Sequence, residues 1–299
     1  MRRLSYNGDT LFKKYGAEKA ASFIKEVGFD AVDFSMTALT DDNHLFLKDD
    51  YLETAYKLRE VYNGVGLPIN QSHAPYSFPL EEFLQDDTFE NKIMPRIVRG
   101  MEMAAVLGAE IIVVHPIHYR WITPNEAFER NIKMYGKLIP YCEKFGIKVA
   151  VENMWDRDLK RGYIIHDTCS TKEEFVRYID ALSSPYIVAC LDTGHVGLPC
   201  GQKDEPCDFV RALGRNRLKA LHIHDNNLLA DEHALPFSGK VNWFEFAKAL
   251  GEINYDGDFT YEVDGKTVAN VPEALVPSVL KHWCDVLKYI ASVAEDYRK

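Results

Sequence analysis

The residues with the most chemical potential lie in short clusters, each at the end of an apolar run. Cys190 to His195 reads CLDTGH, and Asp192 and His195 are three apart, so both can face one centre from a strand's end. Further runs end in SHAPY with His73, VVHP with His115, VEN with Glu152, LHIHD with His222, His224 and Asp225, and YEV with Glu262. The stretch after His224 carries Asp231, Glu232 and His233. A single histidine at a strand end is commonly a hydrogen-bonded rim residue. A carboxylate that interrupts an apolar strand, as Glu152 and Glu262 do, is costly to bury without a positive partner. A metal ion offsets that cost, and imidazoles and carboxylates converging on one point are what a divalent metal requires. The mixed donors suit Zn²⁺, Mn²⁺ or Co²⁺ better than Mg²⁺.

The elements that must position these groups follow one recurring unit: apolar strand, polar loop, amphipathic helix. The predicted strands are Leu4 to Gly8, Phe29 to Met36, Leu67 to Tyr76 with its loop, Ala109 to Pro116, Ile147 to Trp155, YIVACLD, Leu218 to Asp225, and Asp258 to Asp264. Between them, apolar residues recur at helical spacing, with Gly28, Gly108 and Gly146 as stops. Thr123-Pro124-Asn125-Glu126 predicts a capping box with proline in the first turn, and Ser170 to Glu173 predicts a second. DRDLKRGYIIHDT is expected to be a polar loop, and a long amphipathic helix from about Pro272 closes the chain. Eight strand–helix units predict an α/β fold, a (β/α)8 TIM barrel forming one domain over residues 1–299. A doubly wound open sheet fits less well, because no G-x-G-x-x-G follows the first strand. In such a barrel the active site lies at the C-terminal ends of the strands, where these clusters fall.

Composition narrows the function classes. The 299 residues carry a formal charge of −10, which repels phosphate backbones on average and argues against nucleic acid as a partner. No stretch approaches the length needed to span a bilayer, and MRRLSYNGDT lacks the apolar run of a secretory signal. The six cysteines form no C-x-x-C, and reduced thiols in a cytoplasmic protein are expected.

Taken as a set, these motifs resemble the xylose-isomerase-like barrel superfamily, which includes tagatose 3-epimerase-type sugar epimerases, inosose dehydratases and isomerases, and endonuclease IV. The resemblance covers nearly the whole chain. It implies a metal held by Glu152, Asp192, His222 and Glu262. It also implies that His73, His115, His195, Asp231 and His233 match the remaining ligands of the endonuclease's three zinc ions.

Three activities follow from the resemblance. In a sugar or sugar-phosphate isomerase or epimerase, Glu152 and Glu262 would move a proton through an enediolate, and His195 would hold a substrate oxygen. His73 and His115 would line the pocket, Asp231 and His233 would meet distal hydroxyls or a further metal, and Tyr76, Phe78, Trp121 and Trp155 would pack on the sugar. The alternatives are an inosose-type dehydratase and a trinuclear-zinc apurinic endonuclease. MWDRD after VEN, VGLPC after LDTGH, HIHDN, and ALPFSGKVNW after His233 all depart from the endonuclease pattern. A sugar as partner, and a possible homo-oligomer, complete the expectation.

Overall fold

The structure is a computed structural model that describes residues 2–76, 78, 86–119, 122–263 and 265–299. Its strands are β1 (Leu4–Asn7), β2 (Ala31–Ser35), β3 (Ile69–His73), β4 (Ile111–Val114), β5 (Lys148–Glu152), β6 (Trp155–Arg157), β7 (Ile164–His166), β8 (Ile187–Asp192), β9 (Leu218–His222) and β10 (Phe259–Tyr261). Eight of them form one parallel sheet in the order β10-β1-β2-β3-β4-β5-β8-β9. A parallel bridge between Ile223 and Tyr261 brings the two ends together, so the sheet is a nearly closed barrel with helices between its strands. The expected (β/α)8 architecture is therefore present.

Strand alternation sorts the side chains into two layers. Val113, Ala150, Val188, Cys190 and Ala220 form a small apolar cluster inside the barrel. Their neighbours Val149, Val151, Ala189, Leu191 and Leu221 belong to the larger core under the helices. Two residues beyond Ala150, Cys190 and Ala220, the same period places Glu152, Asp192 and His222 on the inner face. Register finishes the job: Glu152 pairs with Cys190, and Asp192 with His222.

The helices bury one stripe each. In the last helix, Val276–Asp296, the residues Leu280, Trp283, Cys284, Leu287, Ile290, Ala291 and Ala294 are buried at helical spacing. Each large apolar side chain so buried contributes about 1.5–3 kcal/mol. Thr123 caps the helix Pro124–Phe145 as expected: its hydroxyl accepts from Glu126 N, and the Glu126 carboxylate accepts from Thr123 N. Gly146 ends that helix at φ +67°.

Two local expectations are corrected. The second capping residue is Thr171, whose hydroxyl accepts from Glu174 N; the Ser170 hydroxyl is already engaged with His166 Nδ1 at 3.0 Å. The stretch after β5 is not a plain loop. β6 and β7 pair as an antiparallel hairpin, Trp155 opposite His166. Asp158 turns it by accepting from Lys160 N and Arg161 N. Strands of three residues with charged side chains leave too little alternation to read. Among the described residues, no helix is long and apolar enough to cross a membrane.

Candidate metal centre

The carboxyl ends of β5, β8 and β9, with the residue just past β10, deliver the central group. Glu152 Oε1 lies 2.8 Å and Glu262 Oε2 3.2 Å from His222 Nδ1. One donor atom each from Glu152, Asp192, His222 and Glu262 lies within 4.8 Å of all the others. The first three side chains are fully buried, whereas Glu262 is about a fifth exposed and faces the outside of the centre.

Further groups crowd this one from two sides. At the ends of β3 and β4, His73 Nε2 and His115 Nε2 are 3.0 Å apart and lie 3.5 and 2.9 Å from Glu152 Oε2. On the other side, His195, His224, Asp231 and His233 bring four donor atoms together. Asp231 lies 3.4 Å from His195 Nε2 and 3.1 Å from His233 Nε2. All nine of the residues implied by the resemblance thus reach one centre.

A shared device orients three of the imidazoles. His73 Nδ1 donates to Ala74 O, His195 Nδ1 to Asn153 O and His233 Nδ1 to Glu262 O, at 2.8, 2.8 and 2.7 Å. A carbonyl oxygen only accepts, so a proton sits on Nδ1 and Nε2 is turned inward. Asn153 also clamps β8, donating to Asp192 O and accepting from Asp192 N.

The electrostatics suit a cation. Among the described residues, every ion-pair partner of Glu152, Asp192, Asp231 and Glu262 is a histidine. Burial opposes ionisation of Glu152, yet His222 and His115 hold it well below the usual carboxylate range. Burial also pulls His233 down, but Asp231 and Glu262 outweigh it and push it up to about 10. His115 keeps a lowered value because burial dominates there. Glu152 Oε2, His222 Nε2, His224 Nδ1 and Asp231 Oδ1 are buried without a hydrogen-bond partner. The two orphaned carboxylate oxygens, Glu152 Oε2 and Asp231 Oδ1, beside inward-facing imidazole nitrogens fit a divalent ion held by nitrogen and oxygen donors.

Above the centre opens a cleft of about 440 Å³, lined by Asn7, Thr10, Ser35, Tyr76, Glu262 and their neighbours. The Tyr76 ring packs at a tilt against both His73 and His115, with ring centroids 4.7 and 4.5 Å away. Trp155 stands edge-on to His195 at 6.4 Å. Trp121 lies outside the described residues. His224 was visible in the sequence as a strand-end histidine but had no assigned role. It is fully buried, places Nε2 2.9 Å from the Asp192 carboxylate and stacks on His233 at 4.0 Å. Its position two after His222, on the same face, was the available signal.

The family model for the xylose isomerase-like TIM barrel matches residues 21–286. The chain is 25% identical over 300 residues to the D-psicose 3-epimerase of Enterocloster bolteae, covering 95% of this chain and 86% of that protein. It is 25% identical over 215 residues to the probable endonuclease 4 of Mesomycoplasma hyopneumoniae, covering 68% and 67%. A crystal structure of the IOLI protein with a binding zinc atom superposes at a TM-score of 0.72 with 16% identity, covering 99% of each chain. With a match spanning most of its length, the chain belongs to the xylose isomerase-like TIM barrel family.

Proposed function

We propose that this protein is a divalent-metal-dependent isomerase or epimerase of a sugar or sugar phosphate. The observation that carries this is the pair Glu152 and Glu262, both within 3.2 Å of His222 Nδ1, with Glu262 lining a small, polar cleft. Glu152, Asp192, His222 and Glu262 would hold the ion. When bound, it supplies Lewis-acid polarisation of a carbonyl and a neighbouring hydroxyl. Glu152, kept ionised, takes a proton from the carbon beside the carbonyl, and Glu262 returns one from its more exposed side. His195, anchored through Asn153 O, presents Nε2 to a substrate oxygen, and Tyr76 and Trp155 offer aromatic faces to the sugar. The similarity to D-psicose 3-epimerase over nearly the whole chain supports a ketose as substrate.

The test is a panel of ketoses and their phosphates in deuterated water, with protein reconstituted with Zn²⁺, Mn²⁺ or Co²⁺. Incorporation of deuterium beside the carbonyl is expected; its absence across the panel sinks the proposal.

One observation favours a second activity, hydrolysis of a phosphodiester at abasic DNA. The groups around His73 and around Asp231 extend the donor set well beyond the four residues of a single ion. Against it, the described cleft lining includes Asp9, Asp231, Glu232 and Glu262 but one lysine, Lys266, which is no footprint for a polyanion. Cleavage of an abasic duplex, with no ketose exchange, would establish this alternative.

A further inference from the structure

His222 differs from three of the other histidines of the centre. His73, His195 and His233 donate Nδ1–H to backbone carbonyls. His222 instead turns Nδ1 into the centre, toward Glu152 and Glu262. Its Nε2 points down the barrel and has no hydrogen-bond partner. That atom lies 3.5 Å from Asp33 Oδ2, on β2, and both side chains are fully buried.

Asp33 is hard to explain as a structural residue. It sits in the barrel interior, with Gln71 Nε2 donating to Oδ2 at 3.3 Å and Oδ1 left without a partner. Among the described residues, its ion-pair partner is His222, with no lysine or arginine beside it. A buried carboxylate so poorly compensated costs stability, and an apolar residue of similar volume would pack there at no such cost. An imidazole that binds metal through one nitrogen characteristically donates the other N–H to a carboxylate, which fixes the ring and its tautomer.

We infer that Asp33 is a positioning residue that holds His222 as the Nε2–H tautomer, so that its Nδ1 lone pair faces Glu152 and Glu262. The inference rests on the ion site proposed above, and it concerns how the chain prepares that site.

The experiment compares the full-length protein with Asp33→Asn and Asp33→Leu. Zn²⁺ affinity is measured by chelator competition, thermal unfolding is measured on metal-free protein, and long-range ¹H–¹⁵N spectra are recorded on histidine-labelled protein at alkaline pH. Asp33→Leu is expected to weaken Zn²⁺ binding by about 10- to 100-fold and to erase the Nε2–H pattern of His222. Its metal-free unfolding temperature should stay level or rise. Asp33→Asn keeps an acceptor oxygen without the charge, and should retain the tautomer with a smaller loss of affinity. Unchanged affinity and tautomer in both variants overturn the inference. So does a drop in metal-free stability with affinity intact, which marks a merely structural role. If the wild type binds no Zn²⁺, the proposed ion site fails instead. The tautomer spectra still decide on Asp33, since a loss of Nε2–H in Asp33→Leu supports it and no change refutes it.

Discussion

Gly194 is packed so closely on His224 that a Cβ at position 194 would lie 2.0 Å from the ring's Cε1 and 2.4 Å from Nδ1. The ring cannot retreat, because His233 stacks on it at 4.0 Å and Asp192 lies 2.9 Å from its Nε2. The glycine in CLDTGH is therefore fixed by a histidine thirty residues later. Gly194→Ala should displace His224 and, with it, the Asp192 carboxylate. Overpacking of this kind costs about 1–3 kcal/mol. Thermal unfolding should show the loss, and His224→Ala in the same chain should recover most of it. A double mutant as unstable as the sum of the two single changes would refute the coupling.

Asp225 should control the segment that carries Asp231 and His233. Its buried carboxylate accepts from Asn226 N and Val241 N on Oδ1, and from Gly239 N and Trp243 Nε1 on Oδ2. All four partners donate, so Asp225→Asn must turn an NH₂ group toward two N–H groups in either orientation. Leaving buried donors unpaired costs roughly 1–3 kcal/mol each. We expect a destabilisation on the order of 2 kcal/mol or more, seen in urea unfolding, and earlier proteolytic cutting within residues 226–242. Equal protease resistance in mutant and wild type would argue against this role.

The contrast between these residues shows what could be read without a structure. The barrel was legible because eight apolar runs alternate with stretches of helical spacing, and the inner-face period carried Glu152, Asp192 and His222 to one rim. Gly194 and Asp33 were not legible. Gly194 depends on a packing contact with His224, thirty residues on, and Asp33 lies in an ordinary strand, FDAVDFSM, whose interior face cannot be told from its exterior by composition. The hairpin of β6 and β7 was hidden for a different reason. Its pairing is local, yet its strands are too short for a period to show.

The two glutamates should fail in different ways when changed. Glu152 is shared by His73, His115 and His222, all within 3.5 Å of its oxygens. Glu152→Gln should cost both the proton transfer and most of the bound ion. Glu262 contributes from the partly exposed side, and its removal leaves Glu152, Asp192 and His222 in place. Glu262→Gln should therefore keep much of the ion while losing on the order of 10²- to 10⁴-fold in C–H exchange. Elemental analysis beside deuterium exchange separates the two, and full exchange in Glu262→Gln would remove it from the acid–base pair.

Removal of the ion should be visible in stability before any substrate is found. Without it, Glu152, Asp192, Asp231 and Glu262 are balanced by protonated histidines alone, and burial works against those protons, as the lowered His115 shows. A bound divalent ion would replace that arrangement with coordination by donors of the same groups. If it binds the folded state only, an ion at about a hundredfold above its Kd adds about 2.7 kcal/mol. In a barrel of this size that corresponds to a rise of roughly 4 °C in Tm, at about 1.6 °C per kcal/mol. Unfolding followed by circular dichroism should therefore fall by that amount after chelation and recover on adding Zn²⁺ or Mn²⁺. The shift should shrink in Asp192→Asn, which weakens a donor of the central group. It should persist in Lys160→Ala, which changes only the exposed hairpin turn. Equal unfolding with and without chelator, in protein shown to start metal-loaded, would mean that the donor cluster is stable on its own histidine protons and that the ion does not hold the centre together.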